Sequence, residues 1–291
     1  MRTLLIKGLL HLFALLPLGT VQSIATLLGR IVAQRPSLRI TQVTRTNIRL
    51  CFPGENQETL IKQSLIETCK AFSELGALWL WRVDRVLGLV REVSGEACLQ
   101  QALQRGKGVV LLTPHLGAWE LVGLYVSSRY TLTALYRPPK LAGLHDLIHA
   151  ARERAGGRIV PTDQSGVRAL YKALRRREVV GILPDQVPSD AGSGIFAPFF
   201  GIPAYTMILV YRLARQTGAP VIFTYAERLP QGRGFHLHFL EAPADIAAEN
   251  LEIAVAALNQ GVQQCLQDCP AQYQWSYKRF KRRPEGALSV Y

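Results

Sequence analysis

Short apolar runs alternate with helix-like patterns through the middle of the sequence. The runs at 109–112, 131–136, 158–161 and 179–183 are typical of buried strands, and each is followed by a stretch with helical spacing of its apolar residues. Alternation of this kind favours parallel strands connected by helices that cover both faces of a sheet. The sequence therefore predicts an α/β fold with a mostly parallel central sheet flanked by helices.

Patterns outside this region extend the same architecture. They predict helices at 60–91, 205–216 and 244–268, and strands at 220–226 and 235–240. No internal repeat and no low-complexity linker interrupts the chain. We therefore expect a single α/β domain.

The stretch 108–120 contains the first candidate site. Its apolar run ends at Pro114, and Gly117 allows a sharp turn into the following helical stretch. On one continuous helix His115 and Glu120 would lie about 140° apart, so they can meet only where the chain reverses. We predict that the Glu120 carboxylate orients the His115 imidazole, which then acts as a general base.

Charged residues also follow two other predicted strands. Arg137 comes directly after the strand 131–136, and Asp185 follows the strand 179–183. If these strands are parallel neighbours, both side chains converge with His115 at one edge of the sheet. Spacing alone leaves two interpretations open: Arg137 binds a substrate phosphate, or it forms an ion pair with Asp185 that braces the loops.

The motif His115-Leu-Gly-Ala-Trp-Glu120 resembles the His-x4-acid motif of the glycerolipid acyltransferase superfamily. In the form His-x-Gly-x-Trp-Glu it resembles the lipid A biosynthesis acyltransferases. Five further blocks resemble that family in the same order along the chain: 47–53, 136–138, 184–186, 199–201 and 275–284. The resemblance therefore covers nearly the whole sequence.

The resemblance implies transfer of a fatty acyl chain from the thioester of acyl carrier protein to a hydroxyl of a phosphorylated, Kdo-bearing lipid A precursor. It implies His115 and Glu120 as the catalytic pair, without an acyl-enzyme intermediate, a cofactor or a metal. The residues expected to contact substrate are Arg137, Asp185, Gln186 and Gly117. A backbone amide near Gly117, or Arg137, would stabilise the oxyanion.

Other functions stay open at this point. The first alternative is a lysophospholipid or ornithine-lipid acyltransferase that uses acyl-CoA or acyl carrier protein. A catalytically idle membrane-binding protein and a nucleic-acid-binding protein are further alternatives. Aromatic residues interleave with basic ones only in the tail 278–283, so nucleic-acid binding is not expected.

Composition is consistent with a membrane-associated enzyme. The net charge is +13 and 48% of the residues are hydrophobic, which suits an anionic membrane face, a phosphorylated lipid or an acidic carrier protein. The five cysteines form no Cys-x-x-Cys pair and indicate a reducing compartment.

The N-terminal segment is apolar and lacks acidic residues. Residues 8–28 are just long enough to span a bilayer, although a pair of interfacial helices split near Pro17 is the alternative. Basic residues follow this run, which favours a cytoplasmic location for the rest of the chain. We predict a membrane-anchoring helical segment at 1–30 and an acyltransferase domain at 31–291 on the cytoplasmic face of the inner membrane.

Two histidine pairs could be mistaken for metal ligands. His145 and His149 lie four apart on a predicted helix without an evident third ligand, so metal binding there is not expected. His236 and His238 alternate with apolar residues on a predicted strand, which favours a solvated strand face.

Overall fold

The computed structural model describes residues 2–54, 56–139, 141–190 and 192–291. The helices are α1 (Arg2–Leu15), α2 (Leu18–Ala33), α3 (Arg39–Cys51), α4 (Gln57–Ser73), α5 (Leu75–Leu80), α6 (Val83–Leu87), α7 (Glu96–Gln104), α8 (Trp119–Ser127), α9 (His145–Glu153), α10 (Gln164–Arg175), α11 (Leu209–Thr217) and α12 (Leu251–Cys265). The strands are β1 (Val90–Ser94), β2 (Val109–Leu112), β3 (Leu132–Tyr136), β4 (Arg158–Pro161), β5 (Val179–Ile182), β6 (Gly194–Phe199), β7 (Ile202–Met207), β8 (Val221–Arg228) and β9 (Phe235–Glu241).

Seven strands form the central sheet, in the order β1-β9-β8-β2-β5-β3-β4. All neighbours are parallel except β8 and β9, which pair antiparallel. Every residue of β2 is buried, as expected for a strand covered on both faces. The predicted α/β fold with a mostly parallel sheet is therefore confirmed.

Helices cover both faces of this sheet. One face packs against residues of α3, α4, α10, α11 and α12, with Leu65 and Leu258 among its fully buried side chains. The other face packs against residues of α5, α6, α7 and α8, including Leu99 and Leu121. The two cores leave the carboxyl ends of β2, β3 and β5 at one edge of the sheet, beside the loops that follow them.

Three predicted helices are wrong in part, and the one at 244–268 is divided into a 3₁₀ helix at Ala244–Ala247 and α12. The stretch 205–216 contains the end of β7 before α11 begins at Leu209, because the aromatic and β-branched residues up to Met207 pair with β6 in a separate hairpin. The stretch 60–91 is divided among α4, α5, α6 and the start of β1. A helical apolar pattern alone did not reveal these breaks.

The N-terminal segment forms two helices that meet at Pro17. Leu10 and Phe13 of α1 are buried, and Gly76 of α5 lies against the α1 backbone. The opposite side of α1 exposes Leu4, Leu5, Leu9, Leu12 and Leu15. Within the described ranges, no helix has the length and apolar character needed to cross a membrane.

A buried ion-pair network ties the N-terminal half of the chain to the sheet. Arg228 at the end of β8 donates through Nε and Nη2 to both carboxylate oxygens of Glu74, at 2.6 and 2.7 Å. Its Nη1 donates to Glu67 on α4, and Gln22 on α2 donates to Glu74. Arg228 and Glu74 are almost completely excluded from solvent.

Replacing Glu74 with glutamine is expected to lower the free energy of unfolding by about 3–5 kcal/mol, because it leaves the buried Arg228 guanidinium without a full counter-charge. Urea denaturation followed by circular dichroism measures the change. Glu249→Gln is the matched control, since its ion pair with Arg215 is largely exposed and should contribute little. Equal losses for the two variants would contradict the assignment.

Candidate active site

His115 lies three residues beyond β2 and contacts the loop that follows β5. Its Nδ1–H donates to Asp185 Oδ1 at 2.8 Å, and its backbone N–H donates to Asp185 Oδ2 at 2.9 Å. The Asp185 side chain is 3% exposed. Because the carboxylate holds the proton at Nδ1, the neutral imidazole has its lone pair at Nε2. This orientation leaves His115 Nε2 as the ring nitrogen that could accept a proton.

Glu120 has different partners from those predicted. Arg152 of α9 donates to both of its carboxylate oxygens, and Trp79 Nε1 donates to Oε2 at 3.2 Å. The predicted hydrogen bond between His115 and Glu120 is therefore wrong. The reason is that Glu120 lies in the first turn of α8 and faces α9, whereas β2 and β5 are hydrogen-bonded neighbours that bring Asp185 to His115.

Both carboxyl groups are buried and remain ionised at neutral pH. Burial by itself would raise the pKa of Asp185, but the charge and hydrogen bonds of His115 outweigh it and hold that pKa below its ordinary value. Burial would also raise the pKa of Glu120. The Arg152 guanidinium, the Trp79 N–H and the nearby His115 charge outweigh burial and hold that pKa below its ordinary value. His115 is thus flanked by two negative charges, one in contact and one through space.

Gln186 occupies the other side of the imidazole. Its side-chain amide donates to His115 Nε2 at 3.1 Å and to Gln274 Oε1 at 3.3 Å. A hydroxyl group that gives its proton to Nε2 must replace this amide. Gln186 is thus placed where an acceptor substrate would approach.

Gly117 has a conformational role and no free amide. Its N–H donates to the Gln272 carbonyl, and the Ala118 N–H donates to the Ala226 carbonyl. Gly117 has φ of +59°, and a Cβ there would lie 2.0 Å from the Ala226 oxygen. The prediction that an amide near Gly117 stabilises an oxyanion is wrong for these two groups, because both already have backbone acceptors.

A cavity of about 1290 Å³ opens beside His115. Gln186 and Arg137 line it together with His115, so the residues after β2, β3 and β5 converge as predicted. Asp185 forms its ion pair with His115 and not with Arg137. Basic side chains dominate its charged lining: Arg137, Arg152, Arg168, Arg212 and Lys281, with Asp163 and Asp190 as the acidic residues. We call this space the cationic cavity.

Among the described residues, most of these cations form no salt bridge, although Asp163 lies near enough to Arg168 for their charges to interact. In the part of the chain that the structure describes, Arg152 is the member of this set that forms a salt bridge. Sequence patterns did not indicate a role for Arg152, Arg168 and Arg212. They lie on α9, α10 and α11, the helices that follow β3, β4 and β7 in the chain. This position after a strand is the sequence feature that could have drawn attention to them.

A smaller apolar pocket of about 80 Å³ adjoins the cationic cavity. Side chains of α8 and the sheet line it, including Val122, Val126, Leu111 and Leu132. The two spaces share Arg152 and three apolar residues: Leu135, Ile182 and Leu183. The site thus places a hydrocarbon-lined space beside a charged one.

A histidine held by a carboxylate at the carboxyl ends of parallel strands, beside both a charged cavity and an apolar pocket, is an arrangement that suits an α/β enzyme with an amphipathic substrate. Sequence comparison identifies the particular family. Residues 2–282 match the bacterial lipid A biosynthesis acyltransferases, and the chain belongs to that family. It is therefore an acyltransferase of lipid A biosynthesis.

Named relatives agree with this assignment. A lipid A biosynthesis lauroyltransferase of Escherichia coli K12 is 28% identical over 290 residues, covering 98% of this chain and 92% of the relative. A palmitoleoyltransferase of the same pathway and organism is 29% identical over 289 residues, with the same coverage. A phosphatidylinositol mannoside acyltransferase of Mycobacterium tuberculosis is 28% identical over 161 residues, covering 54% of this chain and 48% of the relative.

Proposed function

We propose that the enzyme transfers a fatty acyl chain from acyl carrier protein to a hydroxyl of a phosphorylated, Kdo-bearing lipid A precursor. The observation that carries this proposal is that His115 lines a cationic cavity that adjoins an apolar pocket. An anionic sugar headgroup suits the cationic cavity, whereas an acyl chain suits the pocket.

In the proposed reaction one residue, His115, acts first as general base and then as general acid, and no covalent acyl-enzyme intermediate forms. His115 Nε2 takes the proton of the acceptor hydroxyl as its oxygen attacks the thioester carbonyl. The carbon–sulfur bond then breaks, and the departing thiolate of the carrier protein receives the proton from the imidazolium. Asp185 keeps the imidazole in the correct tautomer and stabilises its positive charge.

Glu120 acts on the same step from a distance. Its carboxylate lies close enough to His115 for the two charges to influence each other, but it is held by Arg152 and Trp79. Glu120 therefore favours the imidazolium electrostatically and fixes Arg152 between the cationic cavity and the apolar pocket. Arg137 is the candidate for stabilising the oxyanion or a substrate phosphate.

Purified enzyme, acyl carrier protein charged with a fatty acid, and a lipid A precursor provide the direct test. We expect mass spectrometry to find the precursor with one additional ester-linked acyl chain. Acylation of a lysophospholipid or ornithine lipid, with the lipid A precursor left unmodified, would favour the alternative acceptor. The same reaction with acyl-CoA in place of acyl carrier protein compares the two donors.

The basic lining of the cationic cavity is proposed to bind the acceptor's anionic groups. Arg168→Gln combined with Arg212→Gln is expected to raise the KM for the acceptor at least tenfold, because each charge-assisted hydrogen bond contributes about 1.5–3 kcal/mol. The KM for the donor should change little. Arg175→Gln, on the same helix as Arg168 but outside the cavity, is the matched control. An unchanged acceptor KM in the double variant would contradict the proposal.

The apolar pocket is proposed to receive the end of the acyl chain. Gly123 of α8 lines it, and a Cβ added there meets no atom within 4 Å. Gly123→Leu is expected to fill the pocket and shift the preferred donor to a shorter chain, whereas Gly123→Ala should keep the wild-type preference. Competition between acyl carrier proteins with different chains, read by mass spectrometry, measures the shift. A preference unchanged by leucine would place the chain elsewhere.

The exposed leucines of α1 are proposed to insert into the membrane interface. This is supported by their position opposite the buried side of the helix and by similar exposure of Leu27 and Ile31 on α2. Basic residues after these helices favour the cytoplasmic face of the inner membrane. We propose that residues 1–30 anchor the domain at 31–291 in this way. The positive surface also suits an acidic carrier protein.

A further inference from the structure

Two histidines and a glutamate converge on the outer part of the central sheet. Glu227 lies on β8, and His236 and His238 lie on β9. One ligand atom from each side chain can be chosen so that all three lie within 4.8 Å of one another. His238 Nε2 is 3.0 Å and His236 Nδ1 is 4.0 Å from the same oxygen, Glu227 Oε2.

The antiparallel register of β8 and β9 produces this convergence. Glu227 pairs directly with His236, and Tyr225 pairs with His238, so all four side chains lie on one face of the sheet. This face is less solvated than the sequence predicted, since each histidine side chain is only 15% exposed. The two imidazole centroids are 3.8 Å apart.

Neighbouring groups hold both rings in place. Ser94 Oγ on β1 contacts His236 Nε2 at 2.8 Å, while the opposite ring nitrogen faces Glu227. The Tyr225 ring stacks on the His238 ring at 4.4 Å with an interplanar angle of 9°. In metal sites, the histidine nitrogen that does not bind the metal usually has a hydrogen-bond partner, which for His236 is Ser94 Oγ.

We propose that Glu227, His236 and His238 form a zinc site, with water as the fourth ligand. Tetrahedral zinc with ligands at about 2.0–2.2 Å places neighbouring ligand atoms roughly 3.3–3.6 Å apart, which lies between the 3.0 and 4.0 Å separations from Glu227 Oε2. Two imidazoles and one carboxylate are a ligand set that zinc accepts. Small rotations of these partly exposed side chains complete the geometry.

The role of the site is stabilisation. The zinc ion cross-links β8 to β9, and Ala226, next to Glu227, accepts the hydrogen bond from Ala118 that anchors the His115 loop. Glu227, His236 and His238 line neither the cationic cavity nor the apolar pocket, so the zinc ion takes no part in acyl transfer.

The test uses the full-length protein after treatment with a chelator. We expect calorimetry with Zn²⁺ to show one saturable site, Co²⁺ to give visible absorption of tetrahedral coordination, and Zn²⁺ to raise the Tm. His236→Ala and Glu227→Gln should each weaken Zn²⁺ binding more than about 100-fold, and Ser94→Ala about tenfold, as for outer partners of zinc ligands. His145→Ala combined with His149→Ala removes another close histidine pair and should leave binding intact.

Three results would overturn the proposal. They are absence of saturable binding to the wild type, unchanged affinity in His236→Ala, and loss of binding in the His145/His149 control. Circular dichroism of the metal-free variants establishes that each is folded. If a ligand variant fails to fold, Ser94→Ala decides, because it keeps all three ligands, and wild-type affinity in that variant would also refute the site.

Discussion

Replacing His115 with alanine is expected to lower kcat for acyl transfer about 10³- to 10⁴-fold, the upper part of the range for loss of a general base. The imidazole lone pair at Nε2 disappears, and with it the side-chain hydrogen bond from Nδ1 to Asp185 Oδ1, while the backbone N–H at position 115 still donates to Asp185 Oδ2. Binding of donor and acceptor should persist, because the cationic cavity and the apolar pocket are left in place. Initial rates with a charged carrier protein and a lipid A precursor measure the change.

The control for this variant is His11→Gln, which changes an exposed histidine on α1. Its kcat should equal that of the wild type, and both variants should keep the wild-type Tm within a few degrees. A His115→Ala enzyme that is folded and retains more than one tenth of the wild-type kcat would remove His115 from the reaction. The fold and the family assignment would be unaffected by that result.

The second large effect is expected for Asp185→Asn, with a fall in kcat of about 10³-fold. A carboxamide can donate to Nδ1 and so stabilise the tautomer whose proton sits on Nε2, where the lone pair is needed. Glu120→Gln should cost less, about 10- to 100-fold, since Glu120 contacts Arg152 and not His115. Rate measurements on both variants, with circular dichroism to check folding, distinguish the two carboxylates.

A double-mutant cycle tests how Glu120 acts. If it works through Arg152, the combination of Glu120→Gln and Arg152→Gln should lower kcat little more than the worse single variant. The combination of Glu120→Gln with Asp185→Asn should be closer to additive in free energy. A larger loss for Glu120→Gln than for Asp185→Asn would instead restore Glu120 as the principal partner of His115.

The sequence predicted the sheet and the position of its functional edge. The apolar runs of β2, β3 and β5 are short and bounded by charged or proline residues, so their ends could be placed from composition. Parallel neighbours then brought His115 and Asp185 together. Strand periodicity is encoded locally in the sequence, whereas the adjacency of β2, β5 and β3 was an assumption that the sheet order now supports.

The partner of His115 could not be read from the spacing of the motif. Five residues separate His115 from Glu120 in sequence, but the direction of the Glu120 side chain is set by packing of α8 against α9, where Arg152 lies. The same applies to Arg168 and Arg212, whose helices had to be positioned before their side chains could be assigned to a cavity. The sequence likewise did not predict that His236 and His238 lie beside Glu227, because the register between β8 and β9 was unknown.

The Arg228–Glu74–Gln22 network has a practical consequence for anyone preparing a shortened enzyme. Gln22 belongs to α2, so a truncation that discards the first 33 residues to improve handling also strips a hydrogen bond from a carboxylate sealed inside the protein. It would also uncover the side of α4 that carries Ile66, against which Gly29 packs. Preparations that keep residues 1–33 are thus expected to give a more stable enzyme than preparations that remove them.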